Sequence, residues 1–395
     1  MKNIEKLFDN KLILILVFFI LIKPGSFSEN IAWKSFGDII NIVRAVICGC
    51  TLIISLILIT KKKKIMSIYI YIIVYYSILF FSTIIHGGAY YNLIVEFIIV
   101  VTWGTIFELY KNKDNKTFWK SLEITFDIII IINFLTIIIF PNGFYKNSSG
   151  YSSNYFLGYD NNMITFILPA LCISFINAYK EKKKINIRTI ILYSISLLSI
   201  FITWSATSVF AIILLTIMLI ASKLGLIKKE INIKKSFAVI ITIVILLVIL
   251  RIQNIFEYFI VDFLKKDLTF TGRTLIWDLF ISKIKQAPLL GYGIIDNFKL
   301  IETVGAGHAH DLYLNIMFQS GIIGLIVFCL ILYKTFKTLK NNGTQLAKIL
   351  SLILFIYMFT FIFEAYATMP MFFIVIYCCN YAFFNIGGEK DKWKF

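Results

Sequence analysis

Residues 251–324 read RIQNIFEYFIVDFLKKDLTFTGRTLIWDLFISKIKQAPLLGYGIIDNFKLIETVGAGHAHDLYLNIMFQSGIIG. This is the only long stretch of the chain that is neither apolar enough to cross a membrane nor a short charged link. It contains Arg273 in a Thr-Gly-Arg turn, and His308 and His310 just before a new apolar run. We therefore expect the functional groups of the protein to lie here.

The composition of the whole chain indicates the class of protein. The chain has 395 residues, of which 59% are hydrophobic and 15% are charged, whereas soluble domains average roughly 45–50% and 25%. This balance indicates an integral membrane protein. All six cysteines lie within apolar runs, so the sequence suggests neither a disulfide framework nor a paired metal motif.

The apolar runs predict the architecture, because a helix that crosses a bilayer needs roughly 20 apolar residues. We expect one all-α polytopic membrane domain over residues 1–395, with about twelve spans. The spans lie near 5–22, 38–60, 65–85, 89–109, 121–140, 162–179, 189–204, 206–222, 236–252, 311–333, 349–366 and 370–386. The seventh and eighth spans nearly abut, so a tight turn at Trp204-Ser205 must join them.

The placement of the basic residues supports this layout. The net charge is +17, and with the N-terminus inside, most Lys and Arg residues fall in alternate links and at the two termini. Cytoplasmic segments retain positive charge, so the excess is a topology signal and no nucleic-acid partner is expected. Both termini are then cytoplasmic, and two substantial loops, 141–161 and 253–310, lie outside.

The larger loop has the pattern of short amphipathic helices. Residues 254–266 suit a helix on the membrane surface, and a second helix is expected from Arg273 to about Lys285. Pro288 ends it. The glycines in 291–293 and 305–307 permit the turns that would fold the loop back over the bilayer.

Arg273 is a candidate anion-binding residue. It lies in the first turn of its predicted helix, where a guanidinium group beside free amide groups suits a phosphate or diphosphate. The alternative is an arginine whose side chain merely reaches the lipid headgroups.

His310 is a candidate base, because a neutral imidazole at the outer mouth of the tenth span can accept a proton from a hydroxyl group. An ordinary interfacial histidine is the alternative. His308 would share a face with His310 only in extended backbone. The pair lacks a third ligand of the right type nearby, so neither a metal nor another cofactor is expected.

Charged residues within spans are functional candidates, because they are costly in a bilayer. Arg44, Arg251 and Glu364 fall toward the outer ends of their spans, whereas Glu96 and Asp127 lie deeper or toward the inner side. A structural ion pair is an equally good explanation for Glu96 and Arg44.

The smaller outer loop combines tyrosines with small polar residues, which suits either a carbohydrate site or an interfacial aromatic belt. Asp160, Asn161 and Asn162 stand at the head of the sixth span, where polar groups need partners.

These elements resemble the core motif of the O-antigen ligase and Wzy-type polysaccharide polymerase family. The order that carries the resemblance is Thr-Gly-Arg273, Trp277, Pro288-x-x-Gly291-x-Gly293, His308-Ala-His310-Asp311-x-Tyr313-Leu and Gly321-x-x-Gly324. Residues 156–162 further resemble the family's Gly-…-Asn element before a span. Two positions depart from the pattern: Asp311 stands where the family usually has Asn, and Ala206 where many members have Arg.

The resemblance implies a bacterial membrane glycosyltransferase. Its donor would be an oligosaccharide on undecaprenyl diphosphate, at the outer leaflet of the cytoplasmic membrane, and its acceptor a sugar hydroxyl on a second lipid-linked unit. His310 and Arg273 would be catalytic, without a metal ion. The substrate-binding residues would be Arg251, His308, Asp311, Tyr313, Asn162, Asp160, Arg44 and Glu364.

We expect a polymerase that joins repeat units of a capsule, exopolysaccharide or O-antigen. Flippase and chain-length regulator proteins would be its partners. A ligase of the same family, which transfers finished glycan to lipid, a teichoic-acid carrier or protein, is the alternative. A lipid-oligosaccharide flippase is a third candidate. The large asymmetric outer loop argues against it, because transporters need their charged groups near the midplane.

Overall fold

The computed structural model describes residues 10–60, 65–111, 116–146, 153–182, 185–252, 273–366 and 369–384. Helices dominate this part of the chain. In order they are α1 Lys11–Ile22, α2 Ser26–Glu29, α3 Lys34–Thr60, α4 Ser67–Ile85, α5 Tyr90–Tyr110, α6 Lys116–Ile139, α7 Met163–Lys182, α8 Ile187–Thr203, α9 Ala206–Lys223, α10 Ile233–Val244, α11 Arg273–Gln286, α12 Asn297–Val304, α13 Leu312–Asn342, α14 Gln345–Thr360 and α15 Met369–Tyr381. Short 3₁₀ turns occupy Ile31–Trp33 and Asp160–Asn162, and a π-helical turn, Ile245–Ile249, extends α10.

The helices confirm an all-α, polytopic membrane protein. Within the described ranges, seven helices are long and apolar enough to cross a membrane, namely α3, α4, α5, α6, α7, α9 and α13 with their flanking turns. The shorter apolar helices are α1, α8, α14 and α15. When α10 with its π-helical turn is added to these eleven helices, each of the twelve apolar runs contains a helix. The first is described only from Lys11, and the surface helix expected at 254–266 lies outside the described residues.

The most buried helices of the bundle are α7, α14 and α15, whereas α3 and α9 expose most of their apolar side chains. Exposed apolar surface of this kind faces lipid in a membrane protein. The candidate functional residues are therefore carried by helix ends and loops at one end of a lipid-embedded bundle.

Two helix ends differ from the apolar runs. The run 311–333 continues as helix to Asn342, because the first left-handed glycine cap is Gly343 (φ 58°). The run 349–366 stops being helical at Thr360. Residues 361–366 turn instead, which allows the carbonyl of Phe361 to accept a hydrogen bond from the amide of Leu312 at 2.8 Å. Hydropathy marks the apolar segment, whereas capping and tertiary hydrogen bonds decide where the helix ends.

A break at Gly321 divides α13 and receives the loop that follows α11. Gly321 has φ 61° and ψ −166°, a conformation open essentially to glycine alone. A Cβ at this position would lie 2.1 Å from the carbonyl oxygen of Leu289. Four backbone hydrogen bonds cross the break, from Tyr292 N to Phe318 O (2.7 Å), from Gly293 N to Gln319 O (2.9 Å), from Ile322 N to Pro288 O (2.9 Å) and from Ile323 N to Leu289 O (3.3 Å). The absence of a side chain at Gly321 thus leaves room for loop 288–293 to pack against the break.

The smaller loop contains a two-stranded hairpin that the sequence did not predict. Strand β1, Asn154–Tyr155, pairs antiparallel with β2, Gly158–Tyr159. The tip contacts the segment after α1, since the amides of Gly25 and Ser26 donate to carbonyls of Leu157 and Phe156, each at 3.2 Å. The hairpin leads directly into Asp160 and so fixes the 160–162 turn.

Candidate active site

Glu364 joins Arg273 to His310. The guanidinium Nη2 of Arg273 donates to Glu364 Oε1 at 2.6 Å, and Nδ1 of His310 lies 3.6 Å from Glu364 Oε2. Arg273 also donates to the carbonyl of Phe363. The Glu364 side chain is 8% exposed and that of His310 is 31% exposed. A cation and an imidazole therefore share one nearly buried carboxylate.

Local backbone structure fixes each member of this group. Arg273 is the first residue of α11, and Glu364 lies in the turn that follows α14. His310 has φ 51°, a left-handed conformation that costs a non-glycine residue about 1–3 kcal/mol. Asp311 holds the neighbouring backbone, since its Oδ1 accepts from the amide of Leu314 at 2.8 Å and caps α13.

His308 contacts His310 through this strained backbone rather than through an extended one. The amide of His310 donates to Nδ1 of His308 at 3.2 Å, and the two ring centroids are 4.1 Å apart. Burial, and then the proximity of His310 and of the charged Arg273, lower the pKa of His308 to about 4. His308 is therefore neutral near pH 7, and the bond to Nδ1 leaves its proton on Nε2.

The two carboxyl groups of the site have opposite electrostatic surroundings. Burial alone would raise the pKa of Glu364, but His310 and the charge of Arg273 lower it below its ordinary value. Burial raises the pKa of Asp311 to about 7, despite hydrogen bonds from two amides. Asp311 Oδ2 is buried without a hydrogen-bond partner among the described residues. Glu364 is therefore ionised at neutral pH, whereas much of Asp311 is protonated.

A partly protonated Asp311 accounts for one departure from the family pattern. A neutral carboxylic acid carries one O–H donor and an acceptor oxygen, as a side-chain amide carries donors and an acceptor. Asp311 can thus approximate the shape and hydrogen-bonding capacity of the asparagine that the family usually has.

Arg251 lies beside the first turns of α11 and pairs with Asp278, which the sequence gave no reason to select. Its Nη2 donates to Asp278 Oδ1 at 2.5 Å and to the carbonyl of Thr274 at 3.0 Å. The guanidinium lies 5.5 Å from the ring centroid of Trp277. Arg251 also has a positive φ, 53°, and its Nη1 is buried without an acceptor in the described part of the chain. Arg251 thus adjoins Arg273 but does not touch Glu364.

The Asp160–Asn162 turn meets the 204–208 element. Ser205 Oγ donates to Asn161 Oδ1 at 2.6 Å and to Ser208 Oγ at 3.0 Å. Asp160 lies within electrostatic range of Glu364. The carbonyl of Asn162 accepts from the hydroxyl of Thr165, a contact internal to the start of α7. Asn161, rather than Asn162, therefore provides the side-chain contact between the two elements.

The two remaining candidates lie apart from this group. The Tyr313 hydroxyl donates to the carbonyl of Met358 at 2.8 Å and so joins α13 to α14. Arg44 Nη2 donates to the carbonyl of Leu21 at 2.6 Å. No contact between described residues joins Arg44 to Arg273, His310 or Glu364. Nor do the described ranges contain a group of three His, Cys, Asp or Glu residues suited to a metal ion.

Comparison with known proteins identifies the segment that carries most of this site. Residues 191–329 match the family model described as O-antigen ligase. Over 82 residues the chain is 34% identical to a Rickettsia felis protein described as a polysaccharide ligase, which covers 18% of this chain and 20% of that protein. A polysaccharide ligase of Rickettsia conorii is 32% identical over 97 residues, covering 21% and 24%.

The chain thus spans about a fifth to a quarter of the length of the curated relatives it matches. The family match includes Arg251, Arg273, His308 and His310 and ends before Glu364. It covers almost the whole motif on which the resemblance was based. Residues 191–329 of the chain are thus similar to the O-antigen ligase family.

Proposed function

We propose that this protein is a glycosyltransferase that joins undecaprenyl-diphosphate-linked oligosaccharide repeat units at the outer leaflet of the bacterial cytoplasmic membrane. The observation that carries the proposal is the sharing of Glu364 by Arg273 and His310. A cation for a leaving diphosphate and a base for an attacking hydroxyl are the two groups that such a transfer requires.

Arg273 would stabilise the departing diphosphate. Its contacts with Phe363 and Glu364 leave further N–H groups of the guanidinium available, and the amides that begin α11 lie beside it. Arg251 supports this role, because its buried Nη1 has no acceptor among the residues that the structure describes and its partner Asp278 is 67% exposed. An ion pair with an exposed carboxylate is weak, so a diphosphate can replace it at little cost.

His310 would take the proton of the acceptor hydroxyl. Glu364 lies on the Nδ1 side of the ring, which leaves Nε2 for the substrate and orients the imidazole. As the hydroxyl oxygen attacks the anomeric carbon, its proton passes to Nε2 and the bond from that carbon to the diphosphate oxygen breaks. Glu364 then stabilises the imidazolium, and undecaprenyl diphosphate leaves. One displacement of this kind inverts the anomeric configuration.

The test is chain growth from purified components. The full-length protein, in detergent with lipid-linked repeat units and without added metal, should extend the glycan. Arg273→Ala and His310→Ala should each abolish extension, whereas Lys285→Ala, at the far end of α11, should not. Unchanged growth in both site variants would contradict the proposal.

A ligase is the second candidate, favoured by the description of the matching family and of both Rickettsia relatives. It would use the same donor groups with a different acceptor. Lipid-linked glycan transferred to a lipid or teichoic-type acceptor, without chain growth, would identify it. Substrate movement across vesicles without a new glycosidic bond would instead indicate a transporter.

A further inference from the structure

Lys23 and Arg44 form a pair of neighbouring cations outside the site described above. Lys23 follows α1, and its Nζ donates to Asn41 Oδ1 at 2.7 Å. Asn41 and Arg44 are three positions apart on α3 and therefore lie on the same face of that helix. The charge of Arg44 lowers the pKa of Lys23, secondary to the effect of burial. The two cationic groups are thus close together and partly removed from water.

Neither cation forms an ion pair with a carboxylate of the described residues. Asp38 is near enough to offset part of the change in the Lys23 pKa, but it does not contact either cation. The Nε of Arg44 is buried and has no acceptor among the described residues. An arginine within a membrane span costs roughly 2.5–3.5 kcal/mol even by the lower estimates. Lys23 and Arg44, which no carboxylate of the described residues neutralises, would therefore be stabilised by a bound anion.

The end of α1 accounts for only part of this charge. Arg44 donates to the carbonyl of Leu21 at 2.6 Å, in the last turn of α1. The C-terminus of a helix carries roughly half a negative elementary charge. That partial charge cannot balance two full positive charges, and the carbonyl contact uses a single nitrogen of Arg44.

We propose that Lys23, Asn41 and Arg44 form a second phosphate-binding site, which takes the phosphate or diphosphate group of a membrane lipid. A guanidinium fork, an ammonium group and an amide are suitable donors for phosphate oxygens. The ligand is a lipid because Asn41 and Arg44 lie on a membrane-spanning helix, and only 17% of the apolar window of Ile31–Thr60 is buried inside the protein. Such a surface lies in hydrocarbon, where the apolar part of a lipid also lies.

This second site is at the same end of the bundle as Glu364. Gly25, two residues after Lys23, donates to the hairpin at Leu157, and the hairpin leads to Asp160 near Glu364. At about 3.8 Å per residue, the Cα atoms of Lys23 and Asp160 are no more than about 20 Å apart. If the proposed function holds, the site suits the second lipid-linked unit of a polymerase. An anionic phospholipid is the other source of the same chemistry.

Binding without turnover tests this site. The full-length protein in neutral detergent is titrated with undecaprenyl diphosphate, and bound molecules are counted by native mass spectrometry. The native protein should bind two. In the double variant Lys23→Gln/Arg44→Gln, one molecule of undecaprenyl diphosphate should bind with unchanged affinity. The affinity for the second molecule should fall at least about 10-fold, as expected for the loss of charged hydrogen bonds.

Lys34→Gln is the matched control, because Lys34 is an exposed basic residue at the start of the same helix. It should bind two molecules. Arg44→Lys keeps the charge and should also bind two molecules. If the double variant does not fold, the single variant Lys23→Gln replaces it, because it leaves the contact between Arg44 and the Leu21 carbonyl intact. Two molecules bound to Lys23→Gln and to the double variant with native affinity would overturn the proposal.

Competition distinguishes the two lipid sources. Phosphatidylglycerol that displaces undecaprenyl diphosphate from this site at equal concentration indicates a headgroup site, and failure to displace it indicates a lipid-diphosphate site. The assay needs no acceptor and no bond formation. Loss of glycosyl transfer by Arg273→Ala therefore leaves this result unaffected, and the two proposals can fail separately.

Discussion

Arg273 and Glu364, 91 positions apart in the sequence, form an ion pair of 2.6 Å, and the second oxygen of the same carboxylate lies 3.6 Å from His310. The contact joins the start of α11 to the turn after α14. The loop segment that carries α11 and the transmembrane bundle therefore share one charged cluster.

Replacing Glu364 with Gln should reduce turnover more than donor binding. The amide keeps the shape of the side chain but removes the charge that orients His310 and balances its imidazolium. We expect the turnover number to fall roughly 10- to 100-fold, part of the general-base contribution of about 10²–10⁴. Steady-state kinetics with lipid-linked donor show whether the substitution changes kcat, KM or both. Glu302→Gln, exposed on α12, serves as control and should behave as the native protein.

Asp311→Asn should preserve activity and change the pH dependence of stability. The folded-state pKa of Asp311 is about 7, above its ordinary 3.8. Its contribution to the free energy of unfolding is therefore fully present below about pH 4 and is lost as pH rises through about 7. Between pH 5 and 8 the midpoint of thermal unfolding of the native protein should therefore fall relative to that of Asp311→Asn as the pH rises. The comparison with the variant is needed because the lowered pKa of His308 changes stability in the opposite direction in the acid part of this range.

Asp311→Asn should lack this loss of stability, because the amide does not titrate and still caps α13. Asp296→Asn, at the exposed N-cap of α12, is the matched control and should retain the native slope. Equal slopes for Asp311→Asn and the native protein would show that Asp311 does not titrate in this range.

Gly321→Ala should destabilise the protein by roughly 2–4 kcal/mol. The added Cβ would lie 2.1 Å from the Leu289 carbonyl oxygen, on a residue with positive φ. Loop 288–293 would then lose its hydrogen bonds across the break in α13. Gly49→Ala is the control, since a Cβ at Gly49 meets nothing within 4 Å. Thermal unfolding in detergent compares the two, and equal midpoints would contradict the packing described here.

The sequence was sufficient for the helices and selected all three members of the cluster as candidates, but it did not reveal the contacts between them. Apolar runs predicted where the helices lie, and the helix expected from Arg273 to about Lys285 is matched by α11, which is described from Arg273 to Gln286. Glu364 was noticed as a charge in an apolar run, but its contact with both Arg273 and His310 depends on the unwound turn at 361–366. Hydropathy cannot reveal that turn, because it results from tertiary hydrogen bonds.

Other features escaped prediction for the same reason. The hairpin at 154–159 is held by the segment after α1, more than a hundred residues earlier in the chain. Asp278 had no distinguishing pattern and matters only because Arg251 reaches it. Arg44 was selected from its place toward the outer end of an apolar run, and that pattern did not reveal its contact with the carbonyl of Leu21 at the end of α1.

The most direct test of the central claim is single-turnover glycosyl transfer with donor bound in advance. His310→Gln should bind undecaprenyl-diphosphate-linked oligosaccharide within about 3-fold of the native affinity while its transfer rate falls at least about 100-fold. Arg273→Gln should lose both donor affinity and rate. Native transfer rates in both variants would contradict the account, because neither the cation nor the imidazole would then take part in the reaction.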